Sequence, residues 1–189
     1  MQILSRTAVT LIALTLTLAG CGNQAAPDSP AGAGSSSTAR PADVKLDETS
    51  DPPWPAPADV PSRVAAAGLD LGPMGTAEHY HPRLSISIDG QQVPVIPNIG
   101  VDPSTGTMSA VHTHEGDGTI HVEADTVGEK FTLGQLFTQW GVALTPTQIG
   151  GASAAPGEKV TVTSNGRPVL GNPADLQLQP DQQIELSLP

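Results

Sequence analysis

The sequence predicts an α+β fold, with one small domain at residues 76–189 built from β-hairpins and one packed helix. A β-grasp-like roll is one candidate architecture. Two observations carry this prediction. Turn dipeptides separate runs in which apolar and polar residues alternate, which is typical of hairpins. A single stretch between those runs has helical periodicity with a signal at each end. A domain of roughly 110 residues is large enough for one core.

The first hairpin is predicted around Asp89-Gly90. Apolar residues alternate with serines over residues 84–88, and Val93 and Val95 follow the dipeptide. Asp-Gly favours the tight two-residue turn that joins antiparallel strands.

A second hairpin is predicted around Asn165-Gly166, because Val160 and Val162 alternate with threonines before the dipeptide and Val169 follows it. Alternation over residues 184–188 then predicts a last strand.

The helix is predicted between Thr132 and Gly141. Thr132 and Gln135 fit a capping box, and Gly141 suits the left-handed residue that ends a helix. Four apolar residues between them recur at helical spacing and are expected to face the core: Leu133, Leu136, Phe137 and Trp140.

The N-terminus is typical of an exported protein. Arg6 precedes an apolar run over residues 8–19, which is too short to span a bilayer but fits a secretory signal peptide. Leu18-Ala19-Gly20-Cys21 resembles the lipobox of bacterial lipoproteins, and Cys21 is the only cysteine in the chain. The resemblance implies cleavage after residue 20, lipidation of Cys21 and an anchor on the extracytoplasmic face of the membrane. The alternative is an ordinary secreted protein.

Residues 21–75 are predicted to form a disordered tether, because proline, alanine, serine and glycine dominate much of the segment. A short helix is expected between Pro61 and Leu69. Trp54 is interpreted as a linker residue without a structural role.

The chain is acidic. Its formal net charge is −11, and removal of Arg6 with the signal peptide would make it −12. This charge argues against nucleic acid as a partner and against electrostatic adhesion to anionic lipid. It is compatible with attraction of cations, and also with ordinary solubility.

All five histidines fall between residues 79 and 121, and four of them form two His-x-His pairs. Imidazole is the commonest protein ligand for transition metals, so this clustering predicts a metal site. The members are His79, His81, His112, His114 and His121.

A hairpin with a four-residue loop at 115–118 is predicted to bring three of the histidines together. In that register His112 lies opposite His121, and His114 lies opposite Thr119. Side chains alternate between faces, so these residues share one exposed face with Glu123. The opposite face is apolar and is expected to pack on the core; its residues are Val111, Thr113, Ile120 and Val122.

His79 and His81 precede Pro82 in an extended segment and are expected to supply further ligands. Several other side chains are second-choice ligands or would orient the imidazole rings. They are Glu78, Met108, Glu115, Asp117 and Glu123.

Three functions are open at this level. The first is a lipid-anchored protein that binds Cu or Zn, the metals that suit nitrogen ligands without a thiolate. The second is a metalloenzyme such as a hydrolase, with Glu115 or Glu123 as the general base. The third is an envelope interaction module whose histidines are structural or sense pH and whose protein partner is unknown.

The domain also resembles a family of secreted or membrane-anchored actinobacterial proteins from about Gly68 onward. The resemblance implies a shared site, with no established activity attached to it. Its motifs are His79-x-His81, Asp89-Gly90, Val93-Pro94-Val95, Ile99-Gly100, His112-Thr113-His114, Ile120-His121-x-Glu123, Phe131-Thr132-Leu133-Gly134-Gln135 and Trp140-Gly141.

Overall fold

A computed structural model describes residues 50–189 of the chain. The predicted signal peptide, Cys21 and the predicted tether as far as residue 49 lie outside the described residues. In chain order the elements are α1 (Val60–Ala66), β1 (Glu78–Tyr80), β2 (Arg83–Ile88), β3 (Gln91–Val93), β4 (Val111–His112), β5 (His121–Ala124), α2 (Leu133–Trp140), β6 (Leu144–Thr145), β7 (Gln148–Ile149), β8 (Ala152–Ser153), β9 (Thr161–Ser164), β10 (Arg167–Val169), a 3₁₀ helix (Pro173–Asp175) and β11 (Gln183–Leu188).

The largest sheet has five strands in the order β10-β9-β11-β2-β3. The last strand, β11, lies in the middle and runs parallel to β2, whereas the other neighbours are antiparallel. The sheet thus has two hairpins, β2-β3 and β9-β10, with α2 between them along the chain and the parallel pair β2 and β11 at its centre. This is the strand order of a β-grasp roll. The predicted α+β class is therefore confirmed, and the topology agrees with the candidate architecture.

Both predicted hairpins are present, and each turns at its predicted dipeptide. Ile88 pairs with Gln91 across Asp89-Gly90, and Ser164 pairs with Arg167 across Asn165-Gly166. All four turn residues have positive φ, as a tight turn matched to the twist of the strands requires.

Helix α2 has the predicted ends and the predicted buried face. The Thr132 hydroxyl accepts a hydrogen bond from the Gln135 amide, the Gln135 side chain accepts one from the Thr132 amide, and Gly141 is left-handed. The four predicted apolar residues are buried in the same cluster as the inward side chains of β2 and β11. Gln139, also buried, is the polar exception on this helix.

The folded domain begins before residue 76, so the prediction of a tether reaching residue 75 is wrong over residues 50–75. Trp54, interpreted as a linker residue, is only 2% exposed. Its ring meets Trp140 edge to face with centroids 5.5 Å apart, and the Trp140 indole donates a hydrogen bond to the Pro55 carbonyl at 3.2 Å. Burial of so large an aromatic ring binds this segment to the core despite its proline-rich composition. The expected short helix is α1, which packs on α2.

A second sheet has three strands in the order β1-β5-β4 and carries the histidines. The predicted pairing of His112 with His121 is confirmed. The predicted four-residue loop is wrong, because β4 ends at His112 and β5 begins only at His121. Residues 113–120 form a longer connection. The Thr113 amide donates to the Ile99 carbonyl at 3.1 Å, and the Ile120 amide donates to the Pro82 carbonyl at 2.9 Å. Other segments of the domain thus take the hydrogen bonds that a shorter hairpin would have used.

The connection between β4 and β5 runs against the start of β2. The Leu84 amide donates to the Gly118 carbonyl at 2.8 Å, and Gly118 has a φ of 88°. A Cβ on Gly118 would lie 2.1 Å from the Leu84 carbonyl oxygen, so the close approach requires glycine. This contact joins the histidine sheet to the five-stranded sheet.

The third sheet, β6-β7-β8, is a small meander. Within residues 50–189, neither α-helix is long and apolar enough to cross a bilayer.

Candidate metal centre

The central strand β5 brings the two separate His-x-His pairs to one place. His121 on β5 pairs with His112 on β4, and Glu123 pairs with His79 on β1. Continued by one residue, the β1 register places His81 beside His121. Because side chains two residues apart share a face, the histidines of three strands stand on the same side of this sheet. The structure places His79 and His81 beside the other three histidines, with ring centroids 6.1 and 4.6 Å from that of His121.

His121 is the centre of the cluster, because its ring lies near all four other imidazoles. The ring centroids of His81 and His114 are 4.6 and 4.7 Å from that of His121, and both contacts are edge to face. His112 stacks on His121 at 5.3 Å, and His79 lies at 6.1 Å.

His112 is fully buried and held in one orientation. Its Nδ1 lies 2.8 Å from the Ser109 carbonyl oxygen, which can only accept, so Nδ1 carries the proton and donates. Burial lowers the pKa of His112 to about 4. The ring is therefore neutral near pH 7, and its Nε2 lone pair is free to bind a cation.

The Nε2 of His112 faces the Nε2 of His114 at 3.0 Å. Since the His112 atom has a lone pair, the His114 Nε2–H is the donor in the metal-free protein. Two nitrogens bonded to one tetrahedral metal at 2.0–2.1 Å lie about 3.3 Å apart. The two rings thus already have nearly the spacing of a pair of metal ligands.

His121 has a buried nitrogen that hydrogen bonding leaves unused. Its Nε2 has no hydrogen-bond partner within residues 50–189; the closest charged atom is a Glu115 carboxylate oxygen at 3.4 Å. Burial lowers the pKa of His121, which favours the neutral ring. An unsatisfied buried nitrogen costs free energy unless something binds it, so this atom fits a metal ligand.

Glu123 is a buried carboxylate at the edge of the cluster. Its Oε1 lies 3.3 Å from the Nε2 of His79, while its Oε2 finds no hydrogen-bond partner in the described part of the chain. Buried acids are rare without a partner. A carboxylate in this position is suited to orient an imidazole and to balance the charge of a bound cation.

Helix α2 supports the cluster through a buried polar network that the sequence did not reveal. The Ser109 hydroxyl lies 2.7 Å from both the Val111 carbonyl and the Gln139 side-chain carbonyl, and the Gln139 amide donates to Val111 at 3.0 Å. Ser109 also supplies the carbonyl that fixes His112. Gln139 lies between apolar helix positions, and no sequence pattern connects it with the histidines.

Two groups of three histidines have ligand nitrogens within 4.8 Å of one another. The first is His79, His81 and His121, and the second is His112, His114 and His121. Three imidazoles without a thiolate form a donor set for a transition metal. The cluster could therefore hold a metal ion.

The predicted exposed face is only partly correct. His79, His81 and His114 are exposed, whereas His112 and Glu123 are buried. The residues predicted to pack on the core do so: Val111, Thr113, Ile120 and Val122 are each 0% exposed. His112 is 0% exposed, and its Nδ1 lies against the Ser109 carbonyl.

The second-choice residues have different roles. Glu115 and Glu123 contact histidines. Asp117 instead pairs with Arg83 at 3.0 Å, and Glu78 accepts a hydrogen bond from the Gly128 amide. Met108 forms backbone bridges to Gly72 and Val101.

Comparisons of the chain with family models, with curated proteins and with solved structures find no significant match.

Proposed function

We propose that the protein is a lipid-anchored, extracytoplasmic protein that binds one transition metal, Cu or Zn, through its histidine cluster. The observation that carries the proposal is the buried Nε2 of His121, which has no hydrogen-bond partner within residues 50–189 although four imidazoles surround its ring. A bound cation would use this lone pair.

The ligand chemistry supports a divalent transition metal of intermediate softness. Nitrogen donors suit Zn(II), Cu(II) and Ni(II), and the general order of affinity favours copper. His112 is pre-oriented, because its Nδ1–H is bound to the Ser109 carbonyl and its Nε2 faces His114. A ligand that is already ordered loses less entropy when the metal binds.

Location is proposed from the N-terminal sequence. An acylated Cys21 would hold the domain near the membrane, and the acidic chain would attract cations without adhering to anionic lipid. Mass spectrometry of the N-terminal peptide tests this part. A diacylglyceryl Cys21 is expected, and Cys21→Ser should release the protein from the membrane fraction. An unmodified Cys21 would refute the anchor.

Metal binding is tested with protein produced without a histidine tag and stripped of metal. Calorimetric titration with Zn(II) and with Cu(II) is expected to give binding tighter than micromolar for at least one ion. His121→Asn should remove most of that affinity. Glu185→Gln, an exposed change on β11, removes one negative charge outside the cluster and should leave the affinity unchanged. Affinity no tighter than millimolar for both ions would refute the proposal.

A further inference from the structure

We propose that the five histidines form two alternative coordination sets for one metal ion, an outer set and an inner set that share His121. The outer set is His79, His81 and His121, and the inner set is His112, His114 and His121. The ion enters through the outer set and moves to the inner set by exchanging ligands around the His121 ring. This inference rests on the proposed metal binding and specifies how the ion is received and retained.

The sharing of one ring follows from the strand order. Because β5 lies between β1 and β4, His121 has the other two members of the outer set on one side and those of the inner set on the other. His81 and His114 are placed alike around it, with centroids at 4.6 and 4.7 Å and interplanar angles of 84° and 73°. Both residues are also exposed to solvent. His81 and His114 are therefore similar both in their contact with His121 and in their exposure.

The two sets differ in how firmly their remaining member is held. His112 in the inner set is 0% exposed, and its Nδ1 is bound to the Ser109 carbonyl. The side chain of His79 in the outer set is 53% exposed, and its Nε2 faces Glu123 at 3.3 Å. An ion arriving from solvent therefore meets the outer set first. The inner set gives the longer residence, because His112 is pre-ordered and shielded from water.

One ion is expected because the two sets compete for His121. Its Nε2 is buried without a hydrogen-bond partner within residues 50–189, and the single lone pair of this atom binds one metal at a time. Transfer then requires only local exchange. A nitrogen–metal bond to His79 or His81 breaks as a bond to His112 or His114 forms. The ion keeps its charge throughout, and the His114 Nε2 releases its proton to solvent or to its own Nδ1.

The test compares the matched variants His81→Asn and His114→Asn with the wild-type chain, using Zn(II) as the probe. Equilibrium titration gives stoichiometry and affinity, and stopped-flow mixing with Zn(II) and then with a chelator gives the rates of loading and release. Both substituted rings are exposed, so folding should be preserved, and a circular dichroism spectrum of each variant checks this.

The expected stoichiometry is one Zn(II) for the wild type and for each variant. His81→Asn should slow both loading and release about tenfold while the affinity stays within about threefold of wild type. His114→Asn should load at nearly the wild-type rate, release Zn(II) more than tenfold faster and bind more than tenfold more weakly.

Other outcomes separate the inference from the proposed function. Two Zn(II) per chain would overturn the shared ligand. Equal losses of affinity in the two variants would mean that all the rings bind one ion together. An unchanged loading rate in His81→Asn would overturn the outer set as the entry site. Absence of Zn(II) and Cu(II) binding by the wild type would instead refute the proposed function itself.

Discussion

His112 lies directly opposite His121 across the pairing of β4 with β5, and the two rings are stacked with centroids 5.3 Å apart and an interplanar angle of 16°. The stacked pair consists of one fully buried ring and one partly buried ring. The buried ring lies next to the exposed imidazoles of the cluster. We therefore expect the stability of the protein to depend on pH, on the buried hydrogen bonds of Gln139 and on the close approach at Gly118.

The metal-free protein should lose stability as the pH falls from about 6.5 towards 4. Burial lowers the pKa of His112 to about 4, whereas the unfolded chain takes up this proton near 6.5. The unfolded state thus binds more protons in this interval, so acid favours unfolding. The contribution of His112 is at most about 3 kcal/mol, and His121, whose pKa is also lowered, acts in the same direction.

Urea unfolding at pH 7 and pH 4.5 measures this effect. The free energy of unfolding should fall more in wild type than in His112→Gln, which lacks the titrating ring. Equal falls in the two proteins would show that His112 is not the responsible group.

Gln139→Ala should destabilise the domain by about 1–3 kcal/mol, because the Ser109 hydroxyl and the Val111 carbonyl lose a buried partner. The same change should weaken Zn(II) binding about tenfold, since Ser109 also supplies the carbonyl that orients His112. Chemical denaturation and calorimetry check the two effects. Gln92→Ala, at an exposed position on β3, is the control and should change neither. Wild-type affinity in a destabilised Gln139→Ala would contradict the proposed support.

Gly118→Ala should be far more damaging than Gly128→Ala. Both glycines have positive φ, at 88° and 81°, so each alanine carries a similar backbone penalty of about 1–2 kcal/mol. Only at Gly118 would the added Cβ meet backbone, at 2.1 Å from the Leu84 carbonyl oxygen, whereas nothing lies within 4 Å at Gly128. The melting temperatures of the two variants are compared, and their difference measures the effect of the contact between residue 118 and the Leu84 carbonyl. Similar melting temperatures would show that the β4–β5 connection does not need this contact.

Trp54→Ala should cost about 3–5 kcal/mol, the range for removing a large buried aromatic side chain. Leu170→Ala, at a side chain that is 94% exposed, should have little effect and serves as the control. Denaturant midpoints for the two variants give the comparison. Near-wild-type stability of Trp54→Ala would restore the interpretation of this segment as a linker.

Local patterns in the sequence were sufficient for the hairpins and the helix. Asp89-Gly90 and Asn165-Gly166 specify turns with positive φ, and Thr132 with Gln135 specifies the start of α2, because each feature depends on residues close together in the chain. The pairing of His112 with His121 was predictable for the same reason, since burial of the opposite face fixes the register.

The boundary of the domain was not predictable from local composition. Residues near Trp54 have the composition of a linker, because prolines surround the tryptophan. The residue that shows its role, Trp140, is 86 positions further along the chain, so no local pattern connects the two. Gln139 on α2 and Ser109 in the loop before β4 were missed for a similar reason, since a polar residue gives no sign in the sequence that it is buried.

By itself, the sequence determined that five histidines lie close together along the chain and that two strands could present three of them on one face. Only the tertiary structure decided that His79 and His81 join them, that His112 is buried and that His121 lies between two sets. Those features depend on β1 pairing with β5 and on α2 packing behind β4. Such contacts join residues distant in sequence, where the free energy of the whole core selects the partner.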